Sequence, residues 1–264
     1  MVGAVLLCII VVCALLAPYL GLSSITEMNL SDAVSPPSRQ HFLGTDSYGR
    51  DVFARLIFGS RVSLLVGFMA VGLSMVLGIP IGLYAGYFKG SVDNVLMRLM
   101  DAVFSFPPIL LAIALVAILG PSINTVIIAL AIVYTPRFAR IVRSSTLTER
   151  EREYVSAALA AGGRSLRIIF SHILPNVSGP VIVQATVTYA YAILMEASLS
   201  FLGLGVQPPT PSWGQMLSEA RKYLEDAPYY PLFPGLAIVI SVLSINLLGD
   251  GLRDALDPRQ QRAE

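Results

Sequence analysis

Long apolar runs alternate with shorter polar ones along this chain. Several of the apolar runs approach the roughly 20 residues that an α-helix needs to cross a bilayer. Val2–Leu20 predicts a first span. Ala14-Leu-Leu-Ala17 also resembles a signal cleavage site, but no basic stretch precedes the run and Pro18 follows at once, so spanning is the preferred reading. Leu22 to Arg61 is polar and turn-rich; within it, Val52, Phe53, Leu56 and Ile57 recur at helical spacing among the charges of Arg50–Ser60. That pattern predicts a short amphipathic helix at the interface. Further spans are predicted over Val62–Tyr84, Val103–Leu119, Ile123–Ile141, Val177–Leu204 and Leu232–Leu252. Gly67, Gly72, Gly78 and Gly82 mark the second as a packed interior helix, because small residues let backbones approach closely in lipid. Pro107-Pro108 should kink the third. The expected fold class is all-α integral membrane with six transmembrane helices.

Composition agrees: 55% of the 264 residues are hydrophobic and only 13% charged, against about a quarter charged in soluble domains. The net charge is +1, but seven of the 18 Lys and Arg fall between Arg137 and Arg167. The inner end of the fourth span with Arg137 and Arg140, the loop after it and the tail carry ten basic residues together, the opposite loops six, with Arg50, Arg55 and Arg61 on the opposing side. The positive-inside tendency therefore puts both termini and the loop after span 4 in the cytoplasm. Basic residues gathered in one loop do not make a nucleic-acid groove. Cys8 and Cys13 lie inside an apolar run, where core packing is a better reading than metal or disulfide chemistry. His41 and His172, the two histidines, fall outside the predicted spans, and neither HExxH nor GxSxG occurs, which argues against an intramembrane hydrolase. GxxxxGK[ST] is also absent, so the chain is not itself an ATPase. A channel or secondary transporter stays open physically, although no internal repeat supports the latter.

The loop after span 4 is the one long charged, helix-patterned stretch. Thr148-Glu149-Arg150-Glu151 fits a capping box, and Glu149, Glu151 and Glu153 place negative charge at the positive end of a helix dipole. That helix should end near Ala161, with Gly162 in the left-handed position. Tyr154, Ala158 and Gly162 are spaced by four, beside Ala157 and Ala161, giving a face with almost no side-chain bulk. Such a helix either enters a groove of another protein or packs beneath the bundle. Elsewhere, Arg98 and Asp101 are spaced for a mutual ion pair. Glu196, near the outer end of span 5, either lines a passage with Ser200 or is buried and hydrogen-bonded to a neighbouring helix. Trp213, in a proline-rich external loop, is either a docking anchor or part of an interfacial aromatic belt.

Ser156-Ala157-Ala158, Gly162, His172 and Leu174-Pro175 stand at the spacings of the EAA loop of binding-protein-dependent ABC importers, which the segment resembles. It departs from that pattern at Ser156, where the family favours Glu, and at His172, where it favours Ile. His41-Phe-Leu-Gly-Thr-Asp-Ser-Tyr-Gly-Arg-Asp51, Arg98-Leu-Met-Asp101, Glu196 to Gly205, Pro211-Ser-Trp-Gly214 and Leu248 to Asp254 are similar to motifs of the dipeptide/oligopeptide/nickel permease family, C-type subunit. This resemblance implies a non-catalytic permease with the type I ABC importer fold, in a prokaryotic cytoplasmic membrane. It implies a second homologous permease, two cytoplasmic ATPase subunits, an external solute-binding protein and a di- or oligopeptide cargo, with nickel or glutathione as the alternative. No cofactor is implied. It assigns ATPase coupling to Glu153, Tyr154, Ser156, Ala157, Ala158, Gly162, Arg164, Leu174 and Pro175. The expected division is residues 1–60 as first span plus external segment, 61–252 as permease core containing a coupling loop at 145–176, and 253–264 as cytoplasmic tail.

Overall fold

The computed structural model describes residues 2–256, so the predicted tail beyond 256 lies outside the described residues. The described chain is helical: α1 (Val2–Leu16), α2 (Val52–Phe88), α3 (Gly90–Phe104), α4 (Pro108–Leu119), α5 (Ile123–Arg150), α6 (Glu153–Ala160), α7 (Ser165–Ile168), α8 (Leu174–Phe201), α9 (Trp213–Ala220) and α10 (Tyr229–Leu256). Five helical runs are long and apolar enough to cross a membrane. The sixth expected span is a pair, α3 and α4, bent by 86°. Phe106-Pro107-Pro108 explains the bend: proline at the head of α4 cannot donate into a continuing ladder and pushes the residue before it out of helical conformation. The third span is therefore broken rather than kinked, and only the 12 residues of α4 form its apolar limb.

Side-chain oxygens fix several helix starts by accepting a first-turn amide. Asp51 accepts from Ala54 at 2.8 Å, Ser122 from Thr125 at 3.1 Å and Ser212 from Gln215 at 3.3 Å. The separate interfacial helix expected over Arg50–Ser60 is instead the first part of the 37-residue α2. Nothing between Ser60 and Val62 breaks a helix, and the charge that suggested a wet face is buried: Arg55 is 0% exposed.

α2, α5 and α8 form the core. Gly78, Gly82 and Gly86 of α2 lie against the α5 backbone; a Cβ on them would come within 2.8 Å of the Thr135 carbonyl, 2.5 Å of Ala139 and 2.8 Å of Arg143. Gly67 instead receives the Tyr189 ring of α8, while Gly72 faces open space. The expected interior glycine face is thus real for three of the four glycines named from sequence. α1 lies at the periphery, where Gly3 meets α10 at Ser244 and Leu247. Asp101 does not pair with Arg98. It accepts from Arg140 of α5 at 2.7 Å, while Asp93 holds Arg143, so the ion pairs tie α3 to α5 instead of closing within α3.

Candidate functional site

α5 runs through Thr148 to Arg150, so the proposed capping box is not formed. The Thr148 hydroxyl donates back to Ser144 at 3.3 Å, and Glu151 pairs with Lys89 at the end of α2, at 2.6 Å. The Lys89 hydrogen bond and charge hold the Glu151 carboxyl below its ordinary pKa. A new start follows at Arg152, which is extended, with Glu153 in the first turn of α6.

α6 is moored by two side chains. Val155 is fully buried, and the Tyr154 hydroxyl donates to Glu149 at 2.8 Å and receives a longer bond, 3.4 Å, from Asn176 of α8. Burial, then the bond to Glu149, pushes the Tyr154 phenol up to about 12, so it stays a donor across the physiological range. This mooring changes which face is free. Tyr154 and Ala158 turn toward the bundle, whereas Glu153, Ser156, Ala157, Ala160 and Ala161 are exposed. The small-residue face exists, rotated from the one counted by fours.

The end of α6 is as expected. Gly162 has φ +79°, and the amides of Gly162 and Gly163 donate to Leu159 (3.0 Å) and Ala158 (2.9 Å), the double bond pattern of a glycine-ended helix. Arg164 is extended and exposed ahead of α7. Ile169–Ile173 then winds as a single π turn into α8. Pro175 has no N–H to give to the carbonyl one turn back, and the wider turn absorbs that misfit. His172 lies in this turn; its carbonyl accepts from Asn176 at 2.6 Å, and its buried Nδ1 has no partner among the described residues. Leu174 is half-buried.

At the outer ends of the helices, Glu196 is wholly buried and accepts from Ser63 of α2 at 2.9 Å and from Ser200 at 2.7 Å. Ser63 in turn accepts the Trp213 amide at 3.2 Å, and Ser212 reaches Ser200 at 3.4 Å. Gly214 fits because a Cβ there would lie 2.5 Å from the Ala197 carbonyl. Of the two readings of Glu196 the arrangement is the buried, hydrogen-bonded one, and Ser200 belongs to the same clasp; neither lines a passage within this chain. Trp213 is also displaced from its expected place. It is 2% exposed, with its indole N–H on the Leu56 carbonyl at 3.1 Å, which leaves no ring face for a docking partner. The ring gains more from burial beside α2 than from the loop surface.

A second cluster was not singled out from sequence. Asp46 binds Arg50 at 2.6 Å and Arg55 at 3.3 Å, and Glu219 of α9 meets the same two guanidinium groups at 3.0 and 3.3 Å. Burial pulls the Arg50 pKa down, but attraction to Asp46 and Glu219 outweighs it and holds the group above its ordinary value. His41 meets Asp51, the α2 cap, at 2.9 Å. The signal was present as four charges among the apolar helical positions of residues 46–55; burial was what the pattern could not show.

These features define a multi-spanning helical membrane protein with a small exposed helix on its basic side and a clasped outer face. Residues 78–262 match the family of binding-protein-dependent transport system inner membrane components, and the chain belongs to that family. It is 49% identical over 260 residues to the dipeptide transport system permease protein of Alkalihalophilus pseudofirmus, covering 98% of this chain and 86% of that one. It is 47% identical to a di/tripeptide transport system permease of Pseudomonas aeruginosa, covering 99% and 88%. A glutathione transport system permease of Pectobacterium atrosepticum is 48% identical over 84% of this chain and 74% of that one. The fold matches a chain of the inward-facing MetNI methionine ABC transporter with a TM-score of 0.63 at 21% identity, over 77% of this chain and 96% of that one. The chain is thus an inner-membrane permease component of an ABC importer, with the type I permease fold.

Proposed function

We propose that this chain forms half of a transmembrane pathway that imports di- and oligopeptides. Its partners in this reading are a second homologous permease, two cytoplasmic ATPase subunits and an external solute-binding protein. The cargo class comes from the naming of relatives 47–50% identical over almost the whole chain as peptide permeases. The ATPase is met by the loop 145–176, through the exposed face of α6, within a permease core over residues 61–252. The observation that carries this role is an eight-residue helix moored by Tyr154 and Val155, ended at Gly162, whose exposed side is mostly Ser and Ala, flanked by Glu153 and Leu159. Ser156, Ala157, Ala158, Gly162 and Arg164 form or flank that contact, and Leu174 and Pro175 pass the movement into α8. No step of ATP chemistry belongs to this chain.

The test is uptake by the whole reconstituted transporter. Ala157 is exposed, so Ala157→Trp adds bulk without disturbing the chain's own core. It should reduce ATP-driven peptide uptake at least tenfold while the permease still assembles in the membrane; so should Gly162→Trp, whose site is open but whose backbone is strained for any side chain. Normal uptake by Ala157→Trp would remove α6 from the coupling contact. Because a glutathione permease is also 48% identical, glutathione belongs in the same assay as a competing cargo. Import of glutathione with no uptake of dipeptides would move the cargo assignment.

A further inference from the structure

Among the described residues, one guanidinium inside a span, that of Arg137, has nothing to neutralise it. Arg137 lies fourteen residues into α5, about 21 Å from its outer end at 1.5 Å per residue. Its neighbours along the helix, Arg140 and Arg143, hold Asp101 and Asp93. Arg137 has no ion pair and no hydrogen bond among the described residues. It is stacked between two rings instead, with its Cζ 5.4 Å from the Tyr134 centroid and 5.2 Å from that of Tyr191 on α8. Tyr191 is about 15 Å from the outer end of α8, so the guanidinium lies within the apolar length of the bundle, between its middle and its cytoplasmic half.

A charge at that depth is costly, and in membrane proteins it typically faces a cavity, a pairing group or a transported solute. The tyrosine faces support the cation, and the N–H donors of the planar guanidinium have no acceptor among the described residues. A second, independent feature lies beside it. Tyr134 is 1% exposed and its buried hydroxyl has no partner. The surrounding α8 face is apolar, with Val187, Tyr191 and Leu194 exposed at 37%, 51% and 42%. Where α5 meets α8 the chain therefore holds a cation and a buried hydroxyl, neither with a partner among the described residues, beside a largely apolar stretch of α8. The chemical complement of the cation is a carboxylate, which a guanidinium edge binds through two parallel hydrogen bonds.

We propose that Arg137, supported by Tyr134 and Tyr191, receives the carboxylate of the peptide in transit. This rests on the peptide-import reading above and adds to it a contact inside the membrane. The test uses the complete transporter with its own ATPases, second permease and binding protein in proteoliposomes, and labelled dialanine as the probe. Arg137→Gln should lower uptake at least tenfold, while the permease pair co-purifies in normal yield and the binding protein still stimulates ATP hydrolysis. Arg137→Lys, which keeps the charge but loses the fork, should fall between wild type and Arg137→Gln. Wild-type uptake by Arg137→Gln overturns the proposal, as does Arg137→Lys no better than Gln. Loss of permease pairing in Arg137→Gln also overturns it, because the guanidinium would then be covered by the other subunit. A wild-type transporter that moves neither dialanine nor other dipeptides fails earlier: that outcome sinks the peptide reading, and the contact with it.

Discussion

Glu196 shows how far one buried carboxyl can reach. Its two oxygens take the hydroxyls of Ser63 and Ser200, and through them hold the start of α9 against α2 and α8. Removing it strands the serine hydroxyls in an apolar setting, at about 1–3 kcal/mol for each buried group left unsatisfied. Glu196→Gln keeps the shape and one acceptor, and should retain assembly with a modest loss of thermal stability. Glu196→Leu should sharply reduce the yield of monodisperse protein and lower its melting temperature. Equal behaviour of the two variants in size-exclusion and melting measurements would refute the clasp. Ionisable residues in a span suggest both passage and clasp from sequence, and only the placement of Ser63, distant in the chain, separates them.

Among the elements, α2 depended most on what sequence patterning hides. Its period was legible, and so were Gly78 and Gly82, two of the three glycines that face α5, as a packing face. Its true start was not, because Arg50 and Arg55 look like surface charges until Glu219 is brought across from α9. Spacing rules see neighbours within a helix, so they match Arg98 with Asp101 and make Thr148 a cap. In each case a group from another element, or a helix running on, took the residue instead. The C-terminal glycine of α6 was readable because its cause is local: Gly162 adopts a backbone that few other residues tolerate. Asp51 joins the local and distant effects, capping α2 and meeting His41. Asp51→Ala should destabilise the protein by about 1 kcal/mol or more from the cap alone. Asp51→Asn, which still caps, should recover most of that in thermal melting of the solubilised protein. If Asn is as damaging as Ala, the His41 contact outweighs the cap.

For the whole molecule, the charge asymmetry and the helix order predict α6 on the cytoplasmic side and the 203–212 turn outside. With Cys8 and Cys13 replaced by Ala, Gln207→Cys should react with a membrane-impermeant maleimide in intact cells. Ser156→Cys should react only after the membrane is opened; both positions are exposed, so burial does not complicate the readout. The reverse pattern would invert the molecule and move α6 away from any ATPase. Six spans were countable from hydropathy, but the 86° break between α3 and α4 was not, since a window average registers apolar content and not direction.

The three glycines that seat α2 on α5 have a mechanical consequence. With backbone on backbone at Gly78, Gly82 and Gly86, neither helix can roll or slide past the other without unseating all three contacts at once. The cytoplasmic halves of the two helices are in effect one beam, joined again at its tip by Lys89 and Glu151 just ahead of α6. The breaks in helical continuity on either side of it are the elbow at residues 105–107 and the π turn at 169–173.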